Sequence, residues 1–284
     1  MDPLTVAVLL LLVSVLTGFL GSLLGLGGGF LLVPVMTLAL GIDIRVAVAV
    51  SIVAVVATST GSGAASVRRG IANTRLGMFL EVATALGGIA GAFVALYLGR
   101  EALLVLFGVA LLTAIPFLLK PLRAAPPNGA MAAVDNLLAP SRLRLSGHFE
   151  DEKGNLRTYT VQRPALGLSL SWFAGVVAGL LGIGGGIVKV PTMRGVMGVP
   201  MKVAVGTSNF MIGVTASAAA LVYFSRGAVD PVLAPTAALG VVLGTRYGAR
   251  FMDRVESRDL VRAFAAIMVV MALSMFFKAA GVLP

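Results

Sequence analysis

The sequence has no cysteine and a single histidine, His148, among 284 residues. Disulfides, thiolate metal sites and cysteine nucleophiles are therefore excluded. His148 lies in the only polar stretch of any length, so a histidine-rich metal site or an intramembrane histidine relay is excluded as well. Charge is scarce too: 12% of the residues are Asp, Glu, Lys or Arg, where a soluble domain carries about 25%. Apolar residues make up 58% of the chain, in long runs that recur from Leu4 to Val282. A hydrocarbon core about 30 Å thick needs about 20 apolar residues per helix, so these runs read as membrane spans. The expected fold class is an all-α polytopic membrane protein. The net charge of +10 would suit nucleic acid, but the basic residues sit between apolar runs. That is the placement the positive-inside rule demands, so the expected partner is the lipid bilayer and not nucleic acid. Met1-Asp2-Pro3 offers no basic n-region and no Ala-x-Ala site follows the first run, so a cleaved signal peptide is not expected.

Residues 18–92 align without a gap to 175–249 at a constant offset of 157, with 23 identities in 75 positions. Gly25, Gly27, Gly28, Gly29 and Pro34 match Gly182, Gly184, Gly185, Gly186 and Pro191. Ser51 and Thr58 match Ser208 and Thr215, Arg69-Gly70 matches Arg226-Gly227, and Gly87 and Gly91 match Gly244 and Gly248. Shared composition does not place glycine clusters in register; an internal duplication does. Each half reads as five segments: 4–24, 30–40, 46–66, 76–98 and 102–119, then 164–182, 187–197, 203–224, 232–249 and 260–280. The second of each set has 11 residues, which as a helix spans about 16 Å, roughly half the core. Three consecutive glycines before it are poor helix interior at about 1 kcal/mol each, so each half begins as helix, glycine turn, half-helix.

Charge then orients the chain. Ten segments with the N-terminus outside put 17 Lys and Arg on the cytoplasmic side and four outside (Arg45, Arg100, Arg226 and Lys278), with Lys189 unassigned. Letting each broken pair cross once gives only 12 against 9, so the first arrangement is preferred. An odd number of crossings per half makes the repeats inverted. The expected organisation is a first repeat over 1–119, a cytoplasmic linker over 120–163 and a second repeat over 164–284. Within the linker, Leu143–Phe149 and Leu156–Gln162 flank Glu150-Asp-Glu-Lys-Gly-Asn155. Such alternation around a turn sequence reads as a small β-hairpin, a solvated connector too small to be an enzyme domain.

Few residues could carry chemistry. The glycine clusters cannot be nucleotide loops, because an apolar helix and not a strand precedes them. Broken helices near the midplane of inverted repeats are where secondary transporters bind substrate, and the free N–H groups of half-helix N-termini attract anions. This marks Gly27, Gly28 and Gly29, with Gly184, Gly185 and Gly186, as candidate substrate-binding residues. Close helix packing is the plainer use of such glycines, and Gly87/Gly91 and Gly240/Gly244/Gly248 suit it. Ser51 and Thr58 share a face of the third segment, and Ser208 and Thr215 repeat the pair. Thr207, Ser208 and Asn209 form the stronger cluster, since a buried amide must find a partner; bonding to the helix's own carbonyls is the plain alternative for each hydroxyl. Lys189 stands three residues after Gly186, placed either to add a cation to an anion site or to snorkel. Glu81 is the one carboxylate well inside a span; it is the candidate for proton coupling, against an interfacial position near Arg75.

Two halves that each carry Gly-x-Gly-Gly-Gly then Pro, with a Thr-Ser stretch and an Arg-Gly turn, resemble the TauE/SafE family of sulfite exporters. The likeness covers residues 4–280. It implies a multi-pass transporter of the bacterial inner membrane that moves small sulfur oxyanions or organosulfonates. One departure is Val50-Ser51-Ile52 where the second repeat has Thr207-Ser208-Asn209. The resulting expectation is a secondary transporter of sulfite or a sulfonate working by alternating access. Its alternatives are a passive anion channel and a transporter of another small anion such as a carboxylate. No Walker motif, paired carboxylates or cofactor motif occurs, so neither an enzyme nor a cofactor is expected. Besides lipid, the partners are a small anionic substrate and, as an assembly open to it, further copies in a homo-oligomer.

Overall fold

Local signals start and stop the helices. Asp43 Oδ1 accepts the Arg45 N–H at 2.8 Å, and Asn73 Oδ1 accepts the Leu76 N–H at 3.0 Å. Asp230 Oδ1 accepts the N–H groups of Val232 and Leu233, both at 2.8 Å. These side chains satisfy donors that a helix start leaves orphaned. In the computed structural model, which describes residues 3–23, 29–119, 145–150, 156–251 and 258–282, ten α-helices follow. They are α1 (Pro3–Leu23), α2 (Gly29–Leu38), α3 (Ile44–Arg68), α4 (Thr74–Tyr97) and α5 (Arg100–Leu119), then α6 (Pro164–Leu181), α7 (Gly186–Pro191), α8 (Met201–Ser225), α9 (Leu233–Phe251) and α10 (Arg258–Ala279). Among the described residues α3, α4, α6 and α8 are long and apolar enough to cross a membrane. Their outer faces expose Met78, Val82, Leu166, Leu221 and Phe224, as lipid contact requires.

Both second segments are short, as the sequence predicts. The second of them differs in kind: the α-helix ends at Pro191 and a π-helical turn, Thr192–Val196, completes it. The Met197 N–H reaches back five residues to the Thr192 carbonyl at 3.2 Å.

The helices pair as α1 with α9, α4 with α6, α3 with α8 and α5 with α10. Glycine makes the first two pairings close. A Cβ on Gly87 or Gly91 would fall on the carbonyl oxygens of Trp172 and Val176, and one on Gly175 or Gly179 on those of Thr84 and Gly88. Likewise Gly244 lies against the Val15 carbonyl and Gly240 against that of Leu11. These are backbone-to-backbone seams, which only small residues permit. The contacts advance together along both chains, so α4 runs parallel to α6 and α1 to α9. In contrast Gly213 faces Ser59 and Gly63 faces Asn209, so α3 and α8 run antiparallel.

Two four-helix bundles result. One holds α1, α2, α3 and α9; the other holds α6, α7, α8 and α4; the α3–α8 crossing joins them. Each takes three helices from one half of the sequence and its fourth from the other.

Strands β1 (Gly147–Glu150) and β2 (Leu156–Tyr159) pair antiparallel, with Gly147 opposite Tyr159 and Glu150 opposite Leu156. The expected turn over 151–155 and linker over 120–144 lie outside the described residues. His148 and Thr158, opposite each other, are exposed, whereas Leu145 and Tyr159 are buried in an apolar cluster with Met193, Met197, Val203 and Met211. The pair is therefore solvated on one side and docked on the other. Asn73 Nδ2 donates to the Leu145 carbonyl and to the Tyr159 hydroxyl, both at 2.8 Å, and the Gln162 N–H donates to the Met197 carbonyl at 3.0 Å.

Candidate functional site

The two glycine breaks meet at Ser51. Its Oγ lies 3.0 Å from the Gly29 carbonyl, where α2 begins, and 2.9 Å from the Gly182 carbonyl, where α6 ends. One hydroxyl proton is thus shared between acceptors from both breaks. Gly182, Gly184 and Gly185 have φ of +69°, +72° and +72°, a left-handed conformation that costs an L-residue about 1–2 kcal/mol. Their succession turns the chain sharply enough for Gly185 to cap α7, its carbonyl accepting the Lys189 N–H at 3.0 Å. Gly27 and Gly28 lie outside the described residues.

Ser208, the counterpart of Ser51, is in a different situation. It is 1% exposed, its Oγ stands 3.5 Å from the Cβ position of Gly186, and among the described residues it has no hydrogen-bond partner. A buried hydroxyl left unbonded costs about 1–3 kcal/mol, and this one lies beside the second break.

The other sequence candidates divide. Thr58 donates to its own helix, to the carbonyls of Ala54 and Val55 at 3.1 Å each. Thr207 Oγ1 accepts the Asn73 N–H at 2.9 Å, tying α8 to the start of α4. Asn209 is half-buried, its backbone against Gly63. Thr215, Lys189 and Glu81 come together: Lys189 Nζ donates to Thr215 Oγ1 at 2.7 Å, and Thr215 Oγ1 donates to Glu81 Oε1 at 2.6 Å. Lys189 Nζ stands 3.8 Å from Glu81 Oε2. Both charged residues are buried within the protein, and the Lys189 ammonium is turned to Thr215 and does not snorkel.

Asn73 and Tyr159 are polar partners that the sequence reading missed. Asn73 had a signal, since it aligns with Asp230 just after the Arg-Gly turns, two capping residue types in register. A cleft of about 350 Å³ opens where α3 crosses α8, lined by Ser59, Thr60, Gly63, Gly213, Val214 and Ser217. Ser59, Thr60 and Ser217 each donate to their own helix. Burial pushes the Tyr159 phenol above the ordinary tyrosine value, and the Asn73 amide offsets part of that rise.

The family described as sulfite exporter TauE/SafE matches residues 10–275. The chain belongs to that family. The TauE/SafE match takes in both glycine breaks, the docked strands and the Lys189–Thr215–Glu81 network. A relative 25% identical over 278 residues, covering 95% of this chain and 97% of its own, is described as the probable membrane transporter protein YunE of Bacillus subtilis (strain 168). No solved structure matches the chain. Its TauE/SafE membership, together with its apolar helices, makes it a multi-pass membrane protein of a transporter family.

Proposed function

We propose that this TauE/SafE protein is a secondary transporter that carries a small sulfur-containing anion, sulfite or an organosulfonate, across the bacterial inner membrane. The observation that carries the reading is the Ser208 hydroxyl, buried without a partner beside Gly186 while its counterpart Ser51 holds both breaks together. An anion in a low-dielectric interior needs several donors. Ser208 and the N–H groups of Gly184–Gly186 supply them, with Asn209 one residue on and Lys189 a turn away. Thr58 and Thr207, which are bonded within the protein, hold helices and not substrate; Ser51 braces the breaks.

The two halves are inverted repeats in this reading, and the antiparallel run of α3 and α8 supports it. Alternating access is then a movement of the two composite bundles about the α3–α8 crossing. Rocking whole repeats would have to open both glycine seams, because α9 is sealed to α1 and α6 to α4. The cleft between Ser59 and Gly213 lies where such bundles would part.

The test is binding of sulfite, methanesulfonate and acetate to the purified protein and to Ser208→Ala, beside a Ser146→Ala control. A hydrogen bond to a charged group is worth about 1.5–3 kcal/mol, so Ser208→Ala should bind the sulfur anions roughly tenfold or more weakly. Ser208→Ala binding like the control while remaining folded would place the site elsewhere.

A further inference from the structure

The transport reading sets Lys189 beside the anion but leaves its buried partner Glu81 without a task. Lys189, 1% exposed, and Glu81, 7% exposed, are joined through Thr215. The network is only half satisfied. Of the three ammonium hydrogens Thr215 takes one, and at 3.8 Å Glu81 Oε2 is beyond hydrogen-bond range. Glu81 Oε2 has no hydrogen-bond partner among the described residues. Buried polar networks are costly when incomplete, so an incomplete one that persists calls for a ligand or a proton to complete it.

The repeat supplies an internal control. Lys189 aligns with Leu32, Glu81 with Ala238 and Thr215 with Thr58. Leu32 is buried in the apolar core, Ala238 is half-buried, and Thr58 bonds its own helix. The same packing arrangement is thus built without charge in one half of the molecule, and replacing a buried ion pair by apolar residues is often neutral or stabilising. Packing alone does not account for the pair. Position adds to this: the Lys189 Cε lies 3.5 Å from the Cβ position of Gly185, so the lysine stem crosses the very break beside which Ser208 stands unbonded.

We infer that Glu81 is the proton-binding site that couples transport, and that Lys189 is passed between Glu81 and the transported anion. This rests on the transport reading and names its coupling ion. In the empty carrier Lys189 is held by Glu81 through Thr215. A proton from the acidic side bonds to Glu81 Oε2 and converts the carboxylate to a neutral acid, which releases the ammonium to face an anion at Gly184–Gly186 and Ser208. On the other side the anion leaves, the O–H bond of Glu81 breaks, the proton passes to water, and the starting pair re-forms. One proton and one monovalent anion cross together, so the cycle moves no net charge.

No other ionisable group competes for this role from the neighbouring helices. On α4 itself Thr84 donates to the backbone carbonyls of Leu80 and Glu81, and Arg75 and Tyr97 stand at the ends. Helix α6 has no titratable side chain, and α3 has only Arg45 and Arg68, at its ends. Helix α8 has Lys202 at its start and Tyr223, whose hydroxyl donates to the Gly179 carbonyl at 2.8 Å. Arg194 belongs to the π-helical turn, and Arg100 and Glu101 to the start of α5.

The test uses the full chain in sealed vesicles containing a pH-sensitive dye, with radiolabelled methanesulfonate as probe, because its acid is too strong to carry protons across lipid. Two readings are taken: exchange of labelled for unlabelled methanesulfonate at equal pH, and net accumulation under a gradient of one pH unit. The wild type should exchange, should accumulate the anion up to about tenfold toward the alkaline side, and should move protons with it at any membrane potential. Glu81→Gln keeps an acceptor for the Thr215 hydroxyl but cannot titrate; it should keep measurable exchange and lose pH-driven accumulation. The double variant Glu81→Ala/Lys189→Leu, which copies the first repeat, should fold like the wild type and lose both. Exchange in the wild type without pH-driven accumulation overturns the coupling, and accumulation retained in Glu81→Gln or in the double variant overturns the role of the pair. No methanesulfonate exchange in the wild type overturns the sulfonate-transport reading beneath it.

Discussion

At the scale of single residues, glycine has two distinct uses in this chain. Gly179 exists to let two backbones touch: a Cβ there would fall on the Gly88 carbonyl. Gly61, also helical, has nothing within 4 Å of its Cβ position. Gly179→Ala should therefore destabilise the protein by about 1–3 kcal/mol through overpacking, while Gly61→Ala should gain up to about 1 kcal/mol of helix propensity. Thermal unfolding in detergent should separate the two, and equal midpoints would refute the seam. Which residues form the breaks could be read from the chain, because consecutive glycines act locally. Which hydroxyl stays free could not. Ser51 and Ser208 are identical in sequence register, and only the arrival of the Gly29 and Gly182 carbonyls at Ser51 distinguishes them. Similarly, Glu81 and Lys189 lie in different halves, and nothing local announces that α4 and α7 meet through Thr215.

At the scale of elements, the helices were readable because their limits are set nearby, by Asp43, Asn73, Pro164 and the glycines. The docking of the β-pair was not, since Asn73 looks like an ordinary turn residue until Leu145 and Tyr159 reach it. That contact has a pH signature. The folded-state value of the Tyr159 phenol lies above that of the unfolded chain, so its contribution is fully present below about pH 10 and is lost as pH rises past that. Ultraviolet titration of tyrosinate should show a smaller late-ionising amplitude in Tyr159→Phe than in the wild type, by one tyrosine. A Tyr159→Phe protein with the same late amplitude would exclude the docked phenol. The substitution should itself cost about 1 kcal/mol by removing the bond to Asn73.

At the scale of the whole molecule, the proposed topology places both termini outside and the central linker in the cytoplasm. The absence of native cysteine makes this directly measurable. Single cysteines at Ser146 and Ala280, both exposed, should react with an impermeant thiol reagent from opposite sides of sealed vesicles. Reaction of both from one side would refute the inverted arrangement and the parity it rests on.

The interlacing of the bundles also dictates an order of manufacture. The ribosome delivers α1 long before α9, which begins only at Leu233, yet the faces of α1 around Leu11, Val15 and Gly18 are shaped for that helix alone. Helix α4 has a shorter wait, because α6 is the next span but one. The newborn chain thus closes its second bundle as soon as α8 has entered the lipid, whereas the first stays open, with a groove of bare peptide groups toward the membrane, until nine of the ten helices exist. A nascent chain arrested between α8 and α9 is half a finished protein and half an unsealed one.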